Sequence, residues 1–410
     1  MSAAGLNLAL NDMDAQAVDS LLANGDAGKG RMTVPYDEAI QLYDEAREAV
    51  SRDLRTLGVA ADGDAGAERT VERLTGDFAR YQEFIGRALE SDTRTGGKPD
   101  AVENYRTAND LLTQRLLPEA RSLVDGTNRQ FEDAYEAERS DLGIQVPLLL
   151  ALGLTVLAVL ALLQGYLARR FRRVLTPGLV AATACALLAV FLGSQALTAT
   201  SEQLRVARRD AFDSVVALSR ARAIAYDANA DESRYLLDRA RRVAQEAAFL
   251  GKSQSLYGMT GADLPSYEPR LGETWKAYQE DHEDKRFTGE FRRDLDNITF
   301  PGERAAAERT IEAYAAYQRD DRTIRSLVAA GREREAVSFC ISWEPGKSNA
   351  HFGAWMKARD EVTAINSRAF DAAAADGRDT LTGRLPWAGL PPRRRRPGRP
   401  GLRPRLAEFR

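Results

Sequence analysis

Cysteine and histidine are almost absent from this sequence. Its 410 residues include two cysteines and two histidines. Cys185 and Cys340 lie far apart in the chain, so we expect no disulfide framework. His282 and His351 lie beside no cysteine and have no metal-ligand spacing, so we predict no zinc site and no cofactor.

The common signatures of nucleophilic and phosphate chemistry are also missing. The sequence contains no GxSxG, no GxxxxGK[ST], no GxGxxG after a strand and no kinase motif set. Many acidic residues are spaced as on solvated helices, as at Glu132, Glu136 and Asp141. We therefore predict that the protein is not an enzyme. The net charge of -3 gives no indication of nucleic acid binding.

Two long apolar segments without acidic or basic residues are the most prominent feature that is present. They predict transmembrane helices over residues 143–167 and 177–199, because about 20 apolar residues in a helix cross a hydrocarbon core of about 30 Å. The alternative is a buried helical hairpin of a soluble protein, but soluble helices are rarely apolar on every side over such a length. The lack of charged side chains also argues against a channel or transporter built from this hairpin.

A short arginine-rich loop, residues 168–176, separates the two segments. It contains Arg169, Arg170, Arg172 and Arg173. Because clustered cations are retained on the cytoplasmic side of a membrane, we predict that this loop is cytoplasmic. The protein would then be a multi-pass protein of the cell membrane, in contact with lipid, with most of its chain extracytoplasmic.

Residues 1–142 and 200–384 have the pattern of long amphipathic helices and little strand signal. Apolar residues recur at spacings of three and four, for example at Val71, Leu74 and Phe78. Helices of this kind joined by short turns predict four-helix bundles with coiled-coil-like packing. The predicted fold class is therefore all-α, with two tandem extracytoplasmic four-helix bundles joined by a two-helix transmembrane hairpin.

The second block resembles the first in several places. The stretch AERTVE at 67–72 recurs as AERTIE at 307–312, and NDMDAQAVDSLL at 11–22 is echoed by YDANADESRYLL at 226–237. The ends of the blocks match in a similar way. We interpret the blocks as two copies of one helical unit in sequence order.

Polar residues on otherwise apolar helices are the candidate binding residues, because an acidic group on a packed face needs a partner. The predicted contacts with a ligand or partner are Asp12, Asp14, Asp227, Asn229, Asp231 and Asp321. Exposure to solvent is the alternative for Asp12 and Asp14, and a nearby arginine is the alternative partner of Asp321. Two irregular stretches, 251–269 and 342–349, are further candidates, since loops on a rigid bundle often carry binding residues.

The two ends of the chain do not fit the repeat. Pro147 leads into a membrane helix, whereas the equivalent Pro386 is followed by PPRRRRPGRPG, which cannot cross lipid. We expect residues 385–410 to be an aberrant basic tail, with a membrane helix disrupted by a frameshift over about 390–402. The alternative is a genuine basic tail that binds anionic lipid. A further membrane helix is expected upstream of residue 1.

Three stretches carry a resemblance to a known family: ARAIAYDANADESRYLLD at 221–238, SFCISWEPGKSNAHF at 338–352 and LRPRLAEFR at 402–410. The chain resembles the actinobacterial integral membrane proteins that are associated with a glutamine- or aspartate-binding lipoprotein and with the soluble serine/threonine protein kinase G. The resemblance covers most of the chain and includes no catalytic motif. It implies four membrane helices and two extracytoplasmic sensor bundles that receive the amino-acid-loaded lipoprotein.

The function implied by this resemblance is a non-enzymatic, membrane-anchored sensor. It would relay the signal of an extracytoplasmic binding lipoprotein to a cytoplasmic kinase or other partner, through small shifts of helices that move the arginine-rich loop. The alternative is a structural anchor or scaffold for envelope proteins, without a ligand-dependent change.

Overall fold

The part of the chain that the structure describes is largely helical. The computed structural model describes residues 3–24, 32–171, 177–205 and 213–383. Within these ranges there is no β-strand, and the only bridge of strand type joins Gly258 and Thr288. The predicted all-α class is confirmed.

The first block forms four helices and the beginning of a fifth. They are α1 (Ala3–Ala23), α2 (Thr33–Ala60), α3 (Ala65–Asp92), α4 (Lys98–Leu111) and α5 (Leu117–Phe171). A π-helical turn, Leu112–Leu116, connects α4 to α5. Local sequence explains the helix starts: the Asp64 side chain accepts hydrogen bonds from two backbone N–H groups of α3, and Pro99 occupies the first turn of α4.

The remaining helices follow the arginine-rich loop. They are α6 (Pro177–Arg205), α7 (Asp213–Leu237), α8 (Arg242–Leu256), α9 (Leu264–Glu280), α10 (Glu290–Asp296), α11 (Glu303–Ala329), α12 (Glu333–Ile341) and α13 (Ser348–Gly383). A short 3-10 turn, Arg239–Arg241, lies between α7 and α8.

The irregular stretch predicted at 251–269 is shorter in the structure. Helix α8 continues to Leu256 and α9 begins at Leu264, so only residues 257–263 lie outside a helix. Asp263 caps α9 through a reciprocal pair of hydrogen bonds with Ser266, which explains why serine and proline here start a helix.

The irregular stretch predicted at 342–349 is a short loop between α12 and α13. Gly346 has a φ of +84°, in the left-handed region that favours glycine. Glu344, Pro345 and Gly346 are exposed, whereas the following Ser348 and Asn349 are buried at the start of α13. The loop therefore places an exposed tip directly beside buried polar groups.

The chain divides into two compact units. Among the described residues, one unit contains those up to Thr127 and those of Ser214–Asn366, and the other contains those of Asn128–Asp213 and those from Ser367 onward. The first unit thus combines most of both sequence blocks. The sequence does not predict this grouping, because it describes each block as a separate bundle.

A shared hydrophobic core explains why the blocks combine. Apolar residues of α1 to α4, such as Leu10, Leu74 and Tyr105, form one cluster with Leu236 and Ile341 of the second block. A second cluster lies within the second block and is rich in aromatic residues; the rings of Tyr257 and Phe287 stack in it at 4.1 Å between centroids. The first block therefore completes its core with side chains from the second.

The second unit contains two helices that are long and apolar enough to cross a membrane. They are Gly143–Leu167, with a mean hydropathy of 2.8, and Gly178–Gln195, with a mean hydropathy of 1.8. Only 6% of the first segment and none of the second is buried, whereas the buried-hairpin alternative requires covered side chains. Together with their apolar character, this exposure supports a membrane protein.

The two apolar helices pack against each other through glycine. A Cβ on Gly193 would lie 2.9 Å from Leu149 Cδ2, and a Cβ on Gly153 would lie still closer to the Val190 side chain. Gln164 Nε2 donates a hydrogen bond to Thr183 Oγ1 at 3.2 Å. Small residues and polar side chains of this kind stabilise helix pairs in lipid.

Some predicted features fall outside the described residues. Arg172 and Arg173 of the loop and the whole of the tail at 385–410 belong to this group. Arg169 and Arg170 lie in the last turn of α5, and the Arg169 side chain is exposed. The cytoplasmic position of the loop stays a prediction.

We expect a core mutation in the first block to destabilise the second block as well. Leu10→Ala, at a fully buried position, should lower the free energy of unfolding by about 2–5 kcal/mol. All four tryptophans follow residue 274, and three of them, Trp275, Trp343 and Trp355, lie in the second block, so tryptophan fluorescence should show the shift to lower denaturant concentration. The control is Val59→Ala, at a site 81% exposed, and an unshifted fluorescence transition in Leu10→Ala would contradict a shared core.

Candidate functional site

The repeated segments 11–22 and 226–237 lie in α1 and α7, which face each other inside the first unit. Ser233 Oγ donates a hydrogen bond to Asp19 Oδ1 at 2.5 Å, near the carboxyl ends of the two helices. Nearer their amino ends, Asp12 lies close to Tyr226. Burial has the largest effect in raising the pKa of Tyr226, and the charge of Asp12 raises it further. The two helices therefore run in the same direction, side by side.

The guanidinium of Arg234 is the centre of the buried polar site. Its Nη2 lies 2.6 Å from Asp14 Oδ2 on α1. Its Nη1 lies 3.0 Å from Asp227 Oδ1 and 2.6 Å from Asp231 Oδ1, which occupy the same face of α7. Only 3% of the Arg234 side chain is exposed, so three carboxylates surround one cation away from water.

Lys252 of α8 supplies the second cation. Its Nζ lies 2.8 Å from Asp227 Oδ1 and 2.6 Å from Asp231 Oδ2. Three acids are thus held by two cations, each with several contacts. Buried charges are tolerated only when they are paired and hydrogen-bonded in this manner.

Neutral donors complete the coordination of Asp14. Tyr81 OH donates to Oδ1 at 2.8 Å, and Tyr105 OH donates to Oδ2 at 2.9 Å. Asn109 Nδ2 also donates to Oδ2, at 3.3 Å. Burial and the Asp14 charge raise the pKa of both tyrosines well above the usual value, so both hydroxyls keep their protons and donate.

Asp227 and Asp231 share the same two cations but differ in proton affinity. Burial on its own raises the pKa of Asp227, but Lys252 and Arg234 outweigh it and lower the pKa to about 2. For Asp231 burial has the larger effect and the pKa is raised, with the Asp227 charge adding to the rise. The two carboxyls therefore differ in environment, although they contact the same cations.

A second set of buried polar side chains surrounds Asp19, nearer the carboxyl end of α1. Asn349 Nδ2 donates to Asp19 Oδ2 at 2.9 Å, and Asn229 Nδ2 donates to Asn349 Oδ1 at 3.3 Å. Burial raises the pKa of Asp19 to about 6, despite the hydrogen bonds from Ser233 and Asn349. Asn349 therefore connects α1, α7 and the start of α13.

The structure brings together three of the predicted residues, Asp14, Asp227 and Asp231, and places Asn229 in the neighbouring set. Asp12 is separate and accepts a hydrogen bond from Gln16 Nε2 at 3.3 Å; burial raises its pKa to about 6.

Asp321 also lies apart from Arg234. It accepts hydrogen bonds from Arg325 Nε at 2.9 Å and from Arg325 Nη2 at 2.7 Å, so an arginine is its observed partner. The predicted ligand contacts at the clustered acids stay predictions, and the partners that the structure shows for them are internal.

Several site residues are not indicated by the sequence patterns. They are Asp19, Tyr81, Tyr105 and Arg234. Lys252 and Asn349 lie within the candidate stretches 251–269 and 342–349, so the sequence indicates their region but not the individual residues. A usable signal for Arg234 is its spacing: it follows Asp227 by seven residues and Asp231 by three, which places all three on one helix face.

The acids around Arg234 have partners within the chain. Every acid around Arg234 is already engaged by a cation or a neutral donor of the chain. Among the residues that the structure describes, no group of three or more His, Cys, Asp or Glu side chains could hold a metal ion. What the network does is connect the first block to the second through charge.

We expect Arg234→Gln to be strongly destabilising at neutral pH. The loss should be about 3–5 kcal/mol, because the substitution leaves buried carboxylates without their cation. The matched control is Arg322→Gln, which removes a pair with Glu268 from a side chain 62% exposed and should cost about 0.2–1 kcal/mol. Denaturant unfolding at pH 7 measures both, and equal losses would contradict the central role of Arg234.

Acidification should partly rescue this variant. The orphaned acids can be neutralised by protons below about pH 5, so the difference between Arg234→Gln and the natural sequence should shrink between pH 7 and about pH 4. A difference independent of pH would contradict the assignment of the loss to buried charge.

A further pH dependence follows from Asp19. Its pKa is about 6 when folded and 3.8 in the reference state, so the folded protein holds a proton that the unfolded chain has released between these values. This contribution to the free energy of unfolding is on the order of 2–3 kcal/mol. It is complete below about pH 4 and is lost as the pH rises through about 6. The free energy of unfolding of the natural sequence minus that of Asp19→Asn, both measured with denaturant, should fall by this amount from pH 4 to pH 7. A difference between the two proteins that does not change with pH would contradict this role of Asp19.

The comparisons with known proteins give one match. Residues 1–136 match the model of a family described as the actinobacterial sensor domain. A search of curated proteins and a search of solved structures gave no match. The matched residues include α1 to α4, and with them Asp14, Asp19 and the two tyrosines that bind Asp14. These findings support an actinobacterial sensor protein, with its sensor domain at residues 1–136.

Proposed function

We propose that this protein is a non-enzymatic membrane sensor that relays the state of an amino-acid-binding lipoprotein to a cytoplasmic partner such as a kinase. The sensor-domain match at residues 1–136 and the two apolar helices support this proposal. The observation that carries it is the Arg234 network, because it couples the two sequence blocks by charge. A displacement of either block would then act on the other.

The exposed loop before α13 is the proposed contact for the lipoprotein. Glu344 and Gly346 are accessible at its tip, and Asn349 follows at the buried start of the helix. Asn349 bonds to Asp19 on α1 and to Asn229 on α7. A partner that moves this loop would therefore act on both central helices through one side chain.

The inward step would use the helices that lead to the membrane segments. Helix α5 extends without interruption from the first block through the apolar segment to Phe171. Shifts of about 1–2 Å along such helices are typical of signalling transitions. A shift of this size would move Arg169 and Arg170 at the end of α5 and change the surface offered to a cytoplasmic partner.

A structural anchor is the second candidate. The full engagement of the acids around Arg234 favours it, since a network with every charge satisfied also suits a rigid spacer. In that case the loop before α13 would hold envelope proteins without any response to amino acids.

Capture of the lipoprotein by the full chain in native membranes distinguishes the two. A sensor should capture it in an amount that changes when glutamine or aspartate is added, whereas an anchor should capture it equally with and without them. Glu344→Lys should weaken capture, because it reverses a charge at the loop tip. Asp62→Lys, at an exposed site of the first block, is the matched control and should have no effect.

The proposal also requires a defined orientation in the membrane. In a chain with both natural cysteines replaced by alanine, an impermeant maleimide should label Asp62→Cys in intact cells. Arg169→Cys should react only after the membrane is opened, because the arginine-rich loop is expected in the cytoplasm. Labelling of Arg169→Cys from outside would reverse the orientation and remove the relay.

A further inference from the structure

A cavity of about 520 Å³ lies at the carboxyl ends of α1 and α7. Its apolar wall includes Leu22 of α1, Val102 of α4, Leu237 of α7 and Val337 of α12. Helices of both sequence blocks therefore contribute to it. The volume falls within the range of about 300–1,000 Å³ that is common for small-molecule sites.

Four cationic and two acidic side chains line the same cavity. Both acids are already neutralised by arginines. Asp238 receives two hydrogen bonds of 2.6 Å from Arg106, and Glu333 is held by Arg239 and, at 3.0 Å, by Arg242. The charge available to a ligand is therefore positive.

Two of the lining cations have N–H groups that are available to a ligand. Lys98 Nζ contacts the Leu21 carbonyl oxygen at 2.6 Å and Asp92 Oδ1 at 2.9 Å, which leaves one of its three N–H groups. Arg334 is exposed at the rim, and no ion pair or hydrogen bond of its side chain is seen among the described residues. A carboxylate accepts charge-assisted hydrogen bonds from such donors.

We propose that this cavity is a binding site for a small carboxylic acid with an apolar body. The carboxylate pairs with Arg334 and Lys98, and the apolar body packs on Leu22, Val102 and Leu237. This site is additional to the lipoprotein contact, because it lies in the chain itself and needs no partner. Leu237 follows Arg234 by three residues, so an occupied cavity stabilises the helix end next to the buried ion network.

Hexanoate is a suitable probe, with hexanamide as its neutral analogue of the same shape. Calorimetric titration into the full chain in lipid nanodiscs, with the titration of empty nanodiscs subtracted, should show saturable binding of one hexanoate per chain. Hexanamide should bind at least about ten-fold more weakly, because it cannot form the charge-assisted bonds. Added salt should weaken the binding of hexanoate and not that of hexanamide.

Two variants locate the site. Arg334→Gln should weaken hexanoate about two- to five-fold, as expected for a partly exposed ion pair. Val102→Phe should abolish hexanoate binding by filling the cavity. If Val102→Phe does not fold, Val337→Phe replaces it, because Val337 lines the same cavity. Arg55→Gln, an exposed arginine on α2, is the matched control.

Each outcome is decisive. Saturable hexanoate binding that is lost in Val102→Phe and kept in Arg55→Gln supports the proposal. Equal binding of hexanoate and hexanamide overturns the carboxylate chemistry, and the absence of saturable binding, or its persistence in both filling variants, overturns the site. These results do not depend on the lipoprotein, so they are separable from the relay.

Discussion

The burial of one guanidinium among three carboxylates is the constraint on which the first unit depends. Arg234 lies 220 residues after Asp14, and the two side chains meet with a separation of 2.6 Å in an environment closed to water. Such a pair contributes little net stability over an apolar contact, but removal of one partner is costly. Its role is therefore to specify how the two sequence blocks fit together, since other alignments would leave charges unpaired.

The same constraint explains the composition of α1 and α7. Both helices are buried on nearly every side, and yet they carry acids, amides and serine at buried positions. These polar groups face each other, while leucines and tyrosines of neighbouring helices cover the remaining surface. The apolar core holds the helices together and the polar groups set their register, so the unit combines non-directional and directional interactions.

The sequence predicts the helices and the membrane segments well, because both follow from local patterns. Apolar spacing of three and four identifies α3, and the long uncharged run identifies the hairpin. Asp14 and Asp227 are identifiable as acids on apolar faces, for which a partner is required. Arg234 can be placed on the face of Asp227 and Asp231 by its spacing, but its contact with Asp14 cannot be foreseen, because this partner on α1 is distant in the chain. The shared core is unpredictable for the same reason: helix periodicity says which face is buried but not which helix covers it.

The repeat also bears on how the chain can associate with itself. In the alignment of the repeated segments, Asp19 is the counterpart of Arg234, so the two copies carry opposite charge at one position. If α1 paired with another α1, Asp19 would take the place of the guanidinium beside Asp14, and two carboxylates would meet without a cation. Charge divergence between the copies thus disfavours the pairing of α1 with another α1 and favours its pairing with α7, here supplied by the same polypeptide.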